Sequence, residues 1–405
     1  METKKIERLT SHYADLHIHI GRSKEGLPVK ITASRNMTFT EVVAEAYHRK
    51  GLQMIGVIDA HSPPVQREIL QGLETGTFIE HPDGGIQYRG VTCLLGAEIE
   101  IQEASMKPAH VLVYFPTIAD MIDFSNWLAK YMKNIQLSTQ RLYQSSEALV
   151  DQVMKRAGVL IPAHIFTPFK SVLGSATNRI ADLFPLEAVA AVELGLSSDT
   201  ALADQISELH AYCYLSNSDA HSLQNIGREY NELLIKEASF AEWVKVLKQI
   251  DGRRVLANYG LNPKLGKYYR SRCRDCDHLW PVGLNTIHCP QCGSRRRVKG
   301  VIDRINELAA MEAAKIPPAR PPYIHQIPLP MFPKLGKKTL QKLYEQVGTE
   351  MEILHRASLD EIAAVTNEQL AKQILSARQQ RLELIEGGGG KFGRVQGSDK
   401  EKDKK

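Results

Sequence analysis

The chain has 405 residues, of which 43% are hydrophobic and 24% charged, a composition that suits a globular core and argues against a disordered chain. No stretch approaches the ~20 uninterrupted apolar residues of a spanning helix, so a membrane protein is not expected. The net charge of +5 is uneven: residues 1–260 carry 25 Lys and Arg against 30 Asp and Glu, while residues 261–330 carry 12 against 5.

Residues 13–19 alternate, which predicts a strand with His17 and His19 on one side. Thr38 and Glu41 form a capping-box pattern opening a helix that stops near Gly51. The apolar run 54–58 ends in Asp59-Ala60-His61, and the run 91–97 ends at Glu98. His110 instead opens the run 111–115. Helical spacing follows over 118–133 and 146–157. The run 158–163 ends at His164, and 212–216 leads into Asp219-Ala220-His221. Strands alternating with helices predict an α/β fold over 1–260, either a mostly parallel barrel or a doubly wound sheet. Polar residues at strand ends are how (β/α) barrels build a catalytic face.

His17, His19, Asp59, His61, Glu98, His110, His164, Asp219 and His221 supply imidazole and carboxylate, ligands suited to Zn²⁺, Mn²⁺ or Mg²⁺. One histidine at a strand end is ordinarily a satisfied or solvated side chain, and Asp219 alone could be a helix N-cap. Nine such residues in this arrangement predict two or three divalent metals. Metals so held activate water and clamp a phosphate, which points to a phosphoesterase.

Cys273-x2-Cys276 and Cys289-x2-Cys292 have the spacing of a tetrathiolate zinc ribbon over 264–300, with an architectural Zn²⁺. No apolar signal core follows the N-terminus, so reduced, cytoplasmic chemistry is expected, associated with the nucleoid. Cys93 and Cys213 lie in apolar runs and read as core residues. Arg270 and Arg272 sit in a basic stretch interleaved with Tyr268, Tyr269 and Trp280. That pattern serves either a nucleic-acid track or a solvated basic surface. A helical and Pro-rich linker is expected over 301–330. Residues 331–385 read as a helix-hairpin-helix-like DNA-binding module or a plain packing module. In the first case the backbone near Gly336 and Lys337 would meet a phosphate. Residues 386–405, opening with Gly387 to Gly390, are expected to form a disordered tail.

The order His17-x-His19, Asp59-x-His61, Glu98, His110, His164, Asp219-x-His221 resembles the PHP (polymerase and histidinol phosphatase) superfamily. That resemblance implies a distorted (β/α)7 barrel with up to three metals. His17, His19, Glu98 and Asp219 would hold one metal, and Glu98 would bridge to a second on His110 and His164. His61 and His221 would belong to the third. This chain departs from the family in reading Ile20 to Glu25 where a Ser-Asp-Gly context is common, and in placing Ala60 between Asp59 and His61. A PHP unit, a four-cysteine ribbon and a helical C-terminal module together resemble endonuclease Q. Local matches lie at 15–19, 32–38, 162–169 and 217–221. The resemblance implies a monomeric DNA repair endonuclease that cuts 5′ of uracil, hypoxanthine, xanthine and abasic sites, leaving 3′-hydroxyl and 5′-phosphate ends. Asp219, Glu98 and His221 would be catalytic. Arg22, Lys24 and Arg35 are candidates for flanking phosphates. Residues 167–171, including Lys170 and Ser171, are either a wall of the base pocket or an ordinary β–α loop. DNA with damaged bases is the expected partner, and a replication sliding clamp is a second candidate. The competing readings are a PHP-type 3′–5′ exonuclease, a small-molecule phosphatase and a catalytically silent DNA-binding protein.

Overall fold

The computed structural model describes residues 7–284, 286–311, 313, 315–379, 384–392 and 394–395. Its N-terminal body contains the strands β1 (Thr10–Ile18), β2 (Met54–Val57), β3 (Ile79–Glu80), β4 (Ile86–Tyr88), β5 (Val91–Ile101), β6 (Ala109–Phe115), β7 (Val159–Pro162), β8 (Ala191–Glu193), β9 (Cys213–Leu215), β10 (Tyr230–Ile235) and β11 (Arg254–Gly260). Strands β1, β2 and β5 pair in parallel. Strand β6 pairs antiparallel with both β5 and β7. From β7 a single bridge, Leu160 to Val189, leads toward the parallel pair β8–β9. A bridge from Ala220 to Ile18 then returns the circuit to β1.

The expectation of a mostly parallel sheet therefore fails at β6. Only residues 102–108 separate β5 from β6, too few for the crossover that parallel strands require, so the chain reverses as a hairpin. This reversal explains why His110 opens its strand while the other candidates lie toward or beyond the C-terminal ends of theirs. The start of an antiparallel β6 lies at the same rim as the ends of its neighbours.

Successive residues of these strands go to different cores. Leu16, Met54, Leu94, Leu112, Ile161 and Leu215 pack on one side with Trp243. Ile55, Val57, Cys93, Leu95, Val111 and Val113 pack on the other with residues of the helices. Those helices are α1 (Phe39–Glu45), α2 (Pro63–Glu74), α3 (Ile118–Leu128), α4 (Ser146–Lys155), α5 (Thr200–Ala203) and α6 (Phe240–Lys248). Burial on both faces is what continuous apolar runs such as 91–97 demand. Thr38 caps α1 by accepting from the Glu41 amide, and the chain continues as a π turn to Lys50 before Gly51 stops it at φ 75°.

Beyond β11, the chain forms the ribbon pair β12 (Arg272–Cys273) and β13 (Arg297–Val298), then α7 (Val301–Ala309). The expected linker contains a strand: β14 (Tyr323–His325) adds to β11 in parallel. Helices α8 (Lys337–Gln346), α9 (Glu350–His355), α10 (Leu359–Val365) and α11 (Glu368–Arg378) follow. Thr349 with Glu352 and Ser358 with Glu361 form reciprocal capping boxes that set the starts of α9 and α10.

The disordered tail expected from residue 386 is corrected over 386–392. β15 (Leu384–Ile385) pairs with β16 (Arg394–Val395). Between them, the Gly387 amide donates to the Lys264 carbonyl at 2.6 Å and the Gly390 amide to the Lys267 carbonyl at 2.8 Å. The rest of that expectation, 396–405, lies outside the described residues.

Candidate metal centre and adjoining cleft

Seven of the nine expected metal ligands converge. Glu98, from the middle of β5, stands at the centre. Its carboxylate lies 3.8 Å from His17 Nε2, 3.6 Å from His19 Nε2, 3.0 Å from His110 Nδ1 and 3.4 Å from His164 Nε2. Asp219 Oδ1 lies 3.5 Å from the Nε2 of both His17 and His19, and 3.3 Å from His221 Nε2. Among the described residues, three overlapping clusters of this site bring their ligand atoms within 4.8 Å: His17, His19 and Glu98; His19, Asp219 and His221; Glu98, His110 and His164.

The donor set fits divalent cations. The Nε2 atoms of His17 and His19 and the Nδ1 of His110 are buried without a hydrogen-bond partner, yet they face the Glu98 and Asp219 carboxylates. Nearby imidazoles, and Lys30 in the case of Glu98, more than offset burial and hold Glu98 and Asp219 well below the usual carboxylate range. Burial alone would depress His17, but Glu193 and Asp219 push it up to about 10. A pocket that retains a proton this strongly favours positive charge, and divalent ions compete for the same atoms.

Asp59 and His61 stand apart from these clusters. Asp59 Oδ2 lies 3.1 Å from His19 Nδ1 and accepts from the Ile20 amide at 2.7 Å. It therefore orients a ligand, with its own pKa down at about 2 because His19 and Lys30 overcome burial. His61 Nε2 lies 3.4 Å from the Leu137 carbonyl, and burial lowers its pKa. Lys30, which motif reading did not select, places Nζ 3.2 Å from Glu98 Oε2 and 2.5 Å from Thr139 Oγ1.

Glu193 was also missed. Fully buried at the end of β8, it accepts from His17 Nδ1 at 2.9 Å, the His164 amide at 2.7 Å and Asn217 Nδ2 at 2.9 Å. It thereby fixes the tautomer of one ligand and the backbone of another. The signal was present: Glu193 closes the apolar run 189–192, as Glu98 closes its own. Asp15 braces the opposite loop by accepting from the Ser218 and Gly227 amides at 3.0 and 2.8 Å. His164 and Asp219 occupy positive φ, 30° and 46°. Such strain is sustained where surrounding bonds over-determine the backbone.

A cleft of about 400 Å³ opens directly beside these ligands. Thr167, Phe169 and Lys170 line it, together with Ser197, Asn217 and Arg228. Ser171 does not. It is buried, donating its hydroxyl to the Thr167 carbonyl at 2.5 Å and capping the next turn at the Gly174 amide. Gly195, at φ 76°, lets the chain pass where an added Cβ would lie 3.0 Å from His164 Cβ.

The four cysteines of the ribbon bring their sulfurs within 4.8 Å of one another. Cys273 Sγ–Cys292 Sγ is 3.7 Å and Cys276 Sγ–Cys289 Sγ is 3.6 Å, too long for disulfides and suited to one tetrahedral Zn²⁺. Arg270 and Arg272 are internal braces: Arg270 reaches Glu386 at 2.5 Å and Arg272 reaches Asp277 at 3.0 Å. Lys24 and Arg35 are exposed and Arg22 is half-buried. Arg35 follows Ser34, whose amide donates to the His221 carbonyl at 2.8 Å. Lys337, at the start of α8, shares a second cleft with Ser34, Asn36, Ser222 and Gln224, and Gly336 N-caps that helix. No described helix is long and apolar enough to cross a membrane.

A scan against protein-family models finds no match. The chain is 47% identical over 385 residues to the uncharacterized protein YqxK of Bacillus subtilis, covering 95% of this chain and 98% of that one. It superposes on the lesion-specific endonuclease PfuEndoQ of Pyrococcus furiosus with a TM-score of 0.82 and 31% identity, covering 96% of this chain and 95% of the other. An endonuclease Q complex with a 27-mer duplex carrying an abasic lesion at its active site matches at the same TM-score and identity, with 96% and 97% covered. With a solved relative this similar over nearly its whole length, the chain belongs to the endonuclease Q family.

Proposed function

We propose that this protein is a metal-dependent DNA repair endonuclease that hydrolyses the phosphodiester 5′ of deaminated bases (uracil, hypoxanthine, xanthine) and of abasic sites, leaving 3′-hydroxyl and 5′-phosphate ends. The observation that carries this reading is the cleft opening beside His110, His164, Asp219 and His221, large enough to admit one extruded nucleotide while its phosphate rests on the ligand cluster. The family's lesion-specific endonuclease and its abasic-duplex complex support the substrate class. The circuit of strands around the site supports a distorted (β/α)7 barrel, and the four short helices α8 to α11 support a helix-hairpin-helix-like module.

His17, His19, Glu98 and Asp219 would hold one divalent ion, and Glu98, His110 and His164 a second. When bound, Zn²⁺, Mn²⁺ or Mg²⁺ supplies Lewis-acid activation of water and neutralises charge on the phosphate. The chain itself positions these groups. Glu193 orients His17, Asp59 orients His19, and Lys30 adds a fixed positive charge against Glu98. His221, 3.3 Å from Asp219, lines the cleft and would supply the proton for the departing 3′ oxygen. Arg228 donates to the Ser218 and Asp219 carbonyls at 2.8 and 3.3 Å, holding the ligand loop against the cleft. Flanking phosphates have exposed partners in Lys24, Arg35 and Lys337.

The test is a nicking assay on a labelled duplex with one internal deoxyuridine, in Mg²⁺, Mn²⁺ or Zn²⁺, against undamaged duplex. One cut 5′ of the uracil, absent in Asp219→Ala, is expected. Trimming from 3′ ends, or phosphate release from small monoesters without lesion-dependent nicking, would replace this reading with the exonuclease or the phosphatase.

A further inference from the structure

The run Gly387 to Gly390 has the composition of a flexible linker, but in the structure it is a strap laid across the ribbon. Gly388 bridges to Arg270, and a Cβ on Gly389 would fall 2.4 Å from the Arg272 side chain. Gly389 and Gly390 adopt φ of 61° and 97°, values that glycine alone tolerates readily. Arg270 pairs with Glu386 at 2.5 Å, and Lys391 pairs with Asp277, so both ends of the strap are tied to the ribbon. The strap delivers Phe392 to the wall of the cleft that holds His110, His164 and Asp219.

Phe392 is 46% exposed and Phe169, on the same cleft, 42%. Tyr268 joins them, its ring centroid 5.6 Å from that of Phe169 in an edge-to-face arrangement. The Lys267 ammonium stands 5.1 Å from the Tyr268 ring and 5.9 Å from the Phe392 ring. Large exposed aromatics beside a reacting centre are costly in water unless a flat apolar partner covers them. An unpaired nucleobase is such a partner, and stacking on an aromatic ring tolerates any base.

We propose that Phe392, held by the C-terminal strap, packs with Tyr268 against the extruded base and is a specificity-determining residue of the lesion cleft. The proposal rests on the damaged-DNA reading above, but its test separates the two. An abasic site presents no base to stack, so the effect of losing the ring must depend on whether a base is present.

The experiment compares single-turnover nicking of matched duplexes carrying deoxyuridine, deoxyinosine or an abasic site by the full-length wild type, Phe392→Ala and Phe392→Tyr. The loss caused by Phe392→Ala should be roughly tenfold or more larger on the two base-bearing lesions than on the abasic duplex. Phe392→Tyr should restore the ratio. Gly389→Val, which displaces the strap, should reproduce the same selective loss. An equal fall on all three duplexes would assign the ring to packing or to a duplex wedge and overturn the proposal, as would no fall on any. If the wild type nicks none of them, the damaged-DNA reading itself fails and the proposal with it.

Discussion

The Lys50 ammonium and the Glu350 carboxylate meet at 2.6 Å, 300 residues apart in sequence and each with only 1% of its side chain exposed. Lys50 also donates to the Gln224 carbonyl at 2.9 Å, and Tyr344 donates to Glu350 at 3.1 Å. This buried pair therefore joins the π turn after α1, the loop beyond His221 and the first turn of α9.

Breaking one half of such a pair strands the other charge out of water. Lys50→Met should lower unfolding free energy by about 3–5 kcal/mol, whereas Lys50→Met combined with Glu350→Leu should recover most of the loss. Urea titration of the wild type and both variants checks this. Equal destabilisation by the single and double variants would show that packing volume, not the stranded carboxylate, sets the cost.

Glu98 and Asp59 are both buried acids of the same rim, and the geometry gives them different work. Glu98→Gln should release divalent metal from the centre and abolish nicking. Asp59→Asn should keep metal but weaken its affinity by about 10- to 100-fold through misorientation of His19. Elemental analysis after gel filtration distinguishes them, with the metal expected at the four-cysteine site as an internal reference. Complete metal loss from Asp59→Asn would make Asp59 a ligand after all.

Lys30 should oppose metal binding and assist the proposed reaction. Its charge repels cations at Glu98 but stabilises the additional negative charge of a phosphorane-like transition state. Lys30→Met should bind Mn²⁺ more tightly and turn over more slowly, by about 10² in single-turnover rate. Tighter binding with an unchanged rate would confine Lys30 to charge compensation at Glu98.

His355 on α9 stacks on Tyr13 at 4.7 Å, and its Nε2 lies 2.7 Å from the Tyr230 hydroxyl. Burial holds its pKa down at about 4, helped by Arg378 and Arg356 and opposed by Glu232. The unfolded chain takes up this proton below about pH 6.5, the folded chain only near 4. Stabilisation present above pH 6.5 is thus lost as pH falls through the window from 6.5 to 4, by on the order of 2 kcal/mol after allowing for partial exposure. His355→Gln should flatten that slope in thermal melts collected across the window. An unchanged slope would place the titration elsewhere.

Much of the candidate ligand cluster was readable because a charged or imidazole side chain at the end of an apolar run has few structural uses. His17, Glu98, His164 and Asp219 carry that signature. Glu193 carries it too, but no pairing motif drew attention to it. Lys30 carries no such signal, because it lies in a loop whose path depends on contacts with Thr139 and Glu98. The reversal at β6 was implicit in the short spacing between Glu98 and His110. The glycine run was misread because glycine marks flexibility and tight approach alike, and only the ribbon packed against it decides between them.

The antiparallel β6 also sets the order in which a metal site of this kind can be built. Glu98 and His110 come from β5 and β6, a hairpin closed by residues 102–108, and His164 joins only after the longer connection to β7. The other half waits for a long loop to close: Ser218 Oγ donates to the His17 carbonyl across 201 residues, and the Ala220 bridge to Ile18 shuts the circuit there. Local pairing is entropically cheaper and faster than such closure. The β5–β6 part of the cluster is thus expected to form early in refolding, and an ion held jointly by Glu98, His17 and His19 would report that the ends of the N-terminal body have met.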